Sequence, residues 1–120
     1  MIVEAKDVRL YQTREGKKPY RDWVAGIRDQ RTKGRIDMRA TELLLGKFGK
    51  CKAVGEGVTE LILDFGPGYR IYIGEYGHKV IILLCGGDKS TQESDIKKAK
   101  RYWKDYKQRA QKERGSEWIN

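Results

Sequence analysis

Apolar positions along the chain follow two periods, and each change of period marks a boundary between elements. Between Gly55 and Gln92, three runs rich in Val, Ile, Leu, Tyr and Phe read as β-strands: Val58–Phe65, Tyr69–Tyr76 and Lys79–Cys85. Gly66-Pro67-Gly68 and Gly77-His78 separate them, and such short glycine-bearing links suit hairpins in an antiparallel meander. Val80-Ile81-Ile82-Leu83-Leu84-Cys85 shows no alternation, which predicts a strand buried on both faces. The run breaks at Gly86-Gly87 into Asp88-Lys89-Ser90-Thr91-Gln92. There Ser90 and Glu93 make an S-x-x-E capping box, placing a helix N-terminus just after Lys89.

Upstream, Ile2–Gln12 reads as a first strand with a slip in alternation at Lys6-Asp7, and Thr13–Lys18 as a polar turn. Pro19 suits the first turn of a helix, with Tyr20, Trp23, Val24 and Ile27 on one face. After the polar break Arg28–Thr32, a second helix carries Ile36, Ala40, Leu43 and Leu44 inward and Arg31, Lys33, Arg35 and Arg39 mostly outward. Gly46–Gly57, rich in glycine, reads as a loop. Beyond the capping box, Ile96, Ala99, Tyr102 or Trp103, and Tyr106 form a third helical stripe. That helix is expected to fray after Tyr106. Residues 107–120 then form a basic, mobile tail unless Trp118 and Ile119 dock. The expectation is one α+β domain over residues 1–106. It has a small, mostly antiparallel sheet, an N-terminal helical hairpin on one face and a C-terminal helix.

Charge adds a second layer. The formal net charge is +9, and Lys97 to Arg114 holds nine Lys/Arg against Asp105 and Glu113, a net +7. Residues 51–96 hold four bases against seven acids, a net −3. A polyanionic partner such as nucleic acid accounts for this asymmetry, and so does a solvated helix face. No apolar run approaches the roughly 20 residues of a membrane span. The start MIVEAKDV lacks a basic, then apolar, leader, so cytoplasmic residence with no membrane partner is the expectation. Cys51 and Cys85 make neither a disulfide framework nor a metal site by spacing, and with His78 the only histidine no His-ligated metal or Ser-His-Asp triad is expected.

Several spaced blocks occur in a fixed order: Lys52-Ala53-Val54-Gly55-Glu56-Gly57-Val58, Glu60-Leu61, Gly66-Pro67-Gly68-Tyr69-Arg70-Ile71-Tyr72, Leu83 through Gln92, Asp95-Ile96 and Ala99. From about Tyr20 to Trp103 these resemble the RelE/ParE superfamily of toxin–antitoxin toxins, in the branch of addiction-module killer proteins near the HigB-type toxins. The resemblance implies a RelE-like fold and a toxin neutralised by a cognate antitoxin of helix-turn-helix type. RelE-like and HigB-like members cleave mRNA on the ribosome without metal or cofactor, whereas ParE-like members poison DNA gyrase. The family commonly has Glu-Leu-Arg where this chain reads Glu60-Leu61-Ile62, so one strand cation is absent. An inactive paralogue that only binds antitoxin or nucleic acid is therefore a further alternative.

Metal-free RNA cleavage uses the adjacent 2′-hydroxyl as nucleophile. It needs a proton acceptor, a proton donor for the leaving oxygen, and cations for the charge growing at phosphorus. Arg70 stands at the Gly-Tyr-Arg position where RelE-like toxins carry an important arginine. Its strand phase is opposite to Tyr69, Ile71 and Ile73, and its fixed charge suits a phosphate clamp. Lys89, beside the expected helix N-terminus, is the second cation and Lys52 a third. Asp88 is the candidate base, Tyr72 shares the phase of Arg70, and Gln92 could orient a hydroxyl. Lys97, Lys98, Arg101, Lys104, Lys107 and Arg109 are the candidates for docking RNA or the ribosome.

Overall fold

The computed structural model describes residues 5–119, with side-chain surroundings described as far as Glu113. Strand β1 (Asp7–Leu10) leads into helix α1 (Pro19–Ala25), helix α2 (Gln30–Thr41) and a 3-10 turn over Glu42–Leu45. Strands β2 (Cys51–Gly55), β3 (Val58–Leu63), β4 (Tyr69–Tyr76) and β5 (Val80–Gly87) follow. A 3-10 turn at Lys89–Thr91 then opens helix α3 (Gln92–Ile119). The architecture is α+β around a mixed five-stranded sheet of order β1-β5-β4-β3-β2. β1 runs parallel to β5, and the other three pairings are antiparallel.

The apolar meander lies at the centre because β4 and β5 are covered on both faces. On one face Leu61, Ile71, Ile73 and Ile81 meet Tyr20 and Val24 of α1 and Ile36 and Ala40 of α2. On the other, Val58, Tyr72, Ile82 and Leu84 meet Ala99 and Trp103 of α3. Ile81, Ile82 and Leu84 are essentially fully buried, which is why the β5 run tolerates no polar position.

Four expectations are corrected. A strand comes first, as expected, but the two helices after it do not form an evident hairpin: α1 and α2 meet chiefly through the sheet they both cover. The expected loop over Gly46–Gly57 contains β2, an edge strand whose residues are mostly exposed and so show no apolar alternation. Gly55, Glu56 and Gly57 all have positive φ (100°, 54° and 83°), and this tight turn returns the chain into β3. β5 continues through Gly86-Gly87 to pair with β4, and a Cβ at Gly86 would collide with the Trp23 ring. The cap at the start of the last helical segment is Asp88, not Ser90: the Asp88 carboxylate accepts from Ser90 N at 2.8 Å.

α3 also continues past Tyr106, to Ile119. Its extra turns are held against β1: Tyr11 Oη donates to Asp105 at 2.7 Å, and Arg109 Nη2 bonds both Asp105 (2.8 Å) and the Gln12 carbonyl (2.6 Å). These polar contacts carry the helix where its apolar stripe gives out. The start of the expected first strand, residues 2–4, and the docking of Trp118 and Ile119 fall outside what is described. Among the described residues no helix is long and apolar enough to cross a membrane.

Candidate functional site

Sheet register assembles the site. Opposite residues on neighbouring strands share a face, so Lys52 of β2, Glu60 of β3, Tyr72 of β4 and Cys85 of β5 form one row on the α3 side. The next row is Ile62, Arg70 and Gly87. The first turn of α3 lies over these rows, and a Cβ at Gly87 would overlap the Asp95 carboxylate and the Thr91 hydroxyl.

Glu60 is the hub. It is 0% exposed, in a strand otherwise made of apolar residues and one threonine. Its Oε2 accepts from Tyr72 Oη at 3.0 Å and from Gln92 Nε2 at 2.8 Å. Its Oε1 faces Arg70 Nε at 3.7 Å, too far for a hydrogen bond, and both atoms are buried without another partner. Arg70 Nη1 donates to the carbonyls of Gly68 (3.0 Å) and Tyr69 (3.1 Å), folding the guanidinium back over the β3–β4 turn.

Arg70 Nη1 and the Cβ of Lys89 both lie against the Gly68 turn. A methyl group at Gly68 would lie 3.3 Å from Arg70 Nη1 and 3.4 Å from Lys89 Cβ. Lys89 is exposed, whereas the Arg70 side chain is only 12% exposed and is tied back to the turn through Nη1. Lys52 is exposed at the outer end of the Glu60 row. Ile62 lies directly across from Arg70 on β3 and is half-buried.

Asp88 and Tyr72 do not have the freedom that proton transfer needs. The Asp88 carboxylate is occupied by Ser90 N and Ser90 Oγ, and the Ser90 hydrogen bonds hold its pKa below the usual 3.8. It is a helix cap rather than a base. Burial, and then the Glu60 carboxylate, push the Tyr72 phenol well above its ordinary value of 10.0, so it stays protonated and donates to Glu60. Gln92 is likewise turned inward onto Glu60 rather than outward. Burial raises the Cys85 thiol to about 12, an inert core group as its place in the apolar run suggests.

A second feature runs along α3. Lys97, Lys100, Arg101, Lys104 and Lys107 line an open groove of about 620 Å³, with Glu56 of the β2–β3 turn on its far wall. Lys100 reaches Glu56 at 3.7 Å. Four of the six residues expected to dock RNA therefore gather here: Lys97, Arg101, Lys104 and Lys107. Lys98 does not line the groove, and Arg109 is committed to Asp105 and Gln12 on the β1 side. Lys100 is a groove residue that was counted in the charge but not among the docking candidates, although its i, i+3, i+4 spacing with Lys97 and Lys104 marks it. Glu60 was visible in the family block, and its signal as a site residue is a lone acid in the β3 run, in phase with Arg70 and Tyr72.

A Haemophilus influenzae protein described as uncharacterized is 46% identical over 78 residues, covering 65% of this chain and 79% of that protein. No model of a known protein family matches the chain. No solved structure matches it.

Proposed function

This chain belongs to one family with the uncharacterized Haemophilus influenzae protein, and we propose that it is the toxin of a type II toxin–antitoxin pair, an endoribonuclease that arrests translation by cutting mRNA on the ribosome. The sheet order and the α3 cover support a RelE-like fold for it. The observation that carries the proposal is that Arg70 Nη1 and Lys89 Cβ both lie against the Gly68 turn, just before α3, whose later turns carry a basic groove. Arg70 stabilises the charge that develops on phosphorus when the 2′-hydroxyl attacks, and Lys89 follows the phosphate with a flexible cation. The metal-free route comes from the resemblance. Asp88 and Tyr72 are unsuited to accept a proton, so the ribosome and the substrate RNA supply the remaining positioning and proton transfer. The groove along α3 grips phosphates without reading sequence. A helix-turn-helix antitoxin is the neutralising partner.

A second reading has one observation in its favour: no free base stands beside Arg70 among the described residues, and a ParE-like gyrase poison or a binding-only paralogue needs none. Translation in a cell-free lysate, run beside a gyrase supercoiling assay with the same protein, separates these. Loss of translation with normal supercoiling is expected. Supercoiling failure with normal translation replaces the nuclease by the gyrase reading, and no effect in either leaves the binding-only paralogue.

A further inference from the structure

Glu60 has no role in the chemistry proposed above, yet it sits where a carboxylate is hardest to keep. It is 0% exposed, and Oε1 makes no hydrogen bond among the described residues. Burying a charge is unfavourable unless it is paired and hydrogen-bonded, and a glutamine here would serve Tyr72 and Gln92 equally well through its amide oxygen. What only a carboxylate supplies is the charge facing Arg70 Nε, 3.7 Å from Oε1.

We infer that Glu60 is a positioning residue: it aims the Arg70 guanidinium, through Nε, so that Nη2 is presented to an RNA phosphate at the Gly68 turn. The guanidinium is planar, so two restraints set its direction. Nη1 is tied to the Gly68 and Tyr69 carbonyls on one side, and Nε faces Glu60 on the other. Nη2 is left with no partner among the described residues. Glu60 is in turn held by Tyr72 of β4 and Gln92 of α3, which link it to the first turn of the helix. The Glu60–Arg70 link is a property of the free protein. Only the identity of the phosphate rests on the proposed function.

The test uses Glu60→Gln, which keeps shape and acceptor while removing charge, and Glu60→Asp, which keeps charge with shorter reach. Nitrogen-15 NMR of the wild type, with Arg70→Lys to assign the signal, is expected to show a resolved Arg70 Nε–Hε resonance exchanging slowly with water. In Glu60→Gln that proton exchanges at least about tenfold faster, as a lost ionic partner implies. Inorganic phosphate binds Glu60→Gln no more weakly than wild type, because the site has gained positive charge. RNA cleavage falls about a hundredfold in kcat with KM nearly unchanged, the cost of a misaimed group. Glu60→Asp recovers part of that loss, which a purely structural role would not restore. An Arg70 Hε in the wild type that exchanges like an exposed arginine overturns the inference, even if Glu60→Gln does not fold. So does a folded Glu60→Gln that cleaves like wild type. If the wild type cuts no RNA, the proposed function falls and the NMR comparison alone decides the positioning role.

Discussion

Among single residues, Arg70 and Lys89 matter most to the proposed chemistry. Lys89→Ala is expected to leave the fold intact, and Arg70→Ala to fold with reduced stability because the buried Glu60 carboxylate loses its cation. Each should raise the cleavage barrier by about 2.7–4 kcal/mol, the loss from removing one donor to a developing anion. Growth arrest on expression, at matched protein level, reads this directly, and a toxic double variant would exclude the site. Ile62→Arg introduces the strand cation of the RelE/ParE-like pattern that the chain resembles, next to Arg70 on the same face. Since Ile62 is only half-buried, the variant is expected to fold and to cleave about tenfold faster, equivalent to about 1.4 kcal/mol in the barrier. Asp88 has a different signature. Its carboxyl is held below the ordinary 3.8, so the stability it contributes is complete above that value and disappears as pH falls through its lower folded value. Asp88→Ala should cost about 1 kcal/mol at neutral pH, by thermal or denaturant unfolding, and lose its penalty in strong acid. The sequence placed Arg70 correctly from strand phase, because alternation is a backbone property. The partners of Asp88 and Gln92 were not legible, because what a side chain bonds depends on which neighbour the fold brings: Ser90 for one, Glu60 for the other.

Elements were legible to the extent that burial made them periodic. The three strands of the meander and the stripe of α3 stand in the chain as apolar patterns, and the structure has them within a few residues. β2 was hidden because an exposed edge strand buries almost nothing. The extension of α3 was hidden because Asp105, Arg109 and Tyr11 hold it by polar contacts that no apolar period reveals. This changes what a charge-neutralising variant should contain. Arg109 fastens the helix to Gln12, so Arg109→Ala should cost stability, of the order of 1–3 kcal/mol for a lost charged hydrogen-bond partner. Neutralising Lys97, Arg101, Lys104 and Lys107 should leave stability nearly unchanged. It should weaken ribosome co-sedimentation and flatten its dependence on salt by close to one counterion for each phosphate no longer gripped. Unchanged salt dependence would make the groove a solvated face. Loss of antitoxin affinity alone would make it the antitoxin's seat.

For the whole molecule, strand order and charge layout work together. The parallel return of β1 beside β5 makes β5 an interior strand like β4 and β3, so the Glu60 and Arg70 rows cross the middle of the sheet. α3 carries the net +7 between Lys97 and Arg114, and its groove residues begin at Lys97, in the second turn of the helix. The α+β class could be read from the order of the runs, while the parallel pairing of β1 could not, since a four-residue strand far upstream carries no mark of its partner. The most direct measurement of the central claim is the position and chemistry of mRNA ends in a translating lysate given purified protein. The expected result is new ends within the translated region, bearing a 2′,3′-cyclic or 3′-phosphate, absent without ribosomes and absent with the Arg70→Ala, Lys89→Ala double variant. Translation that stops while every mRNA remains full-length would contradict it.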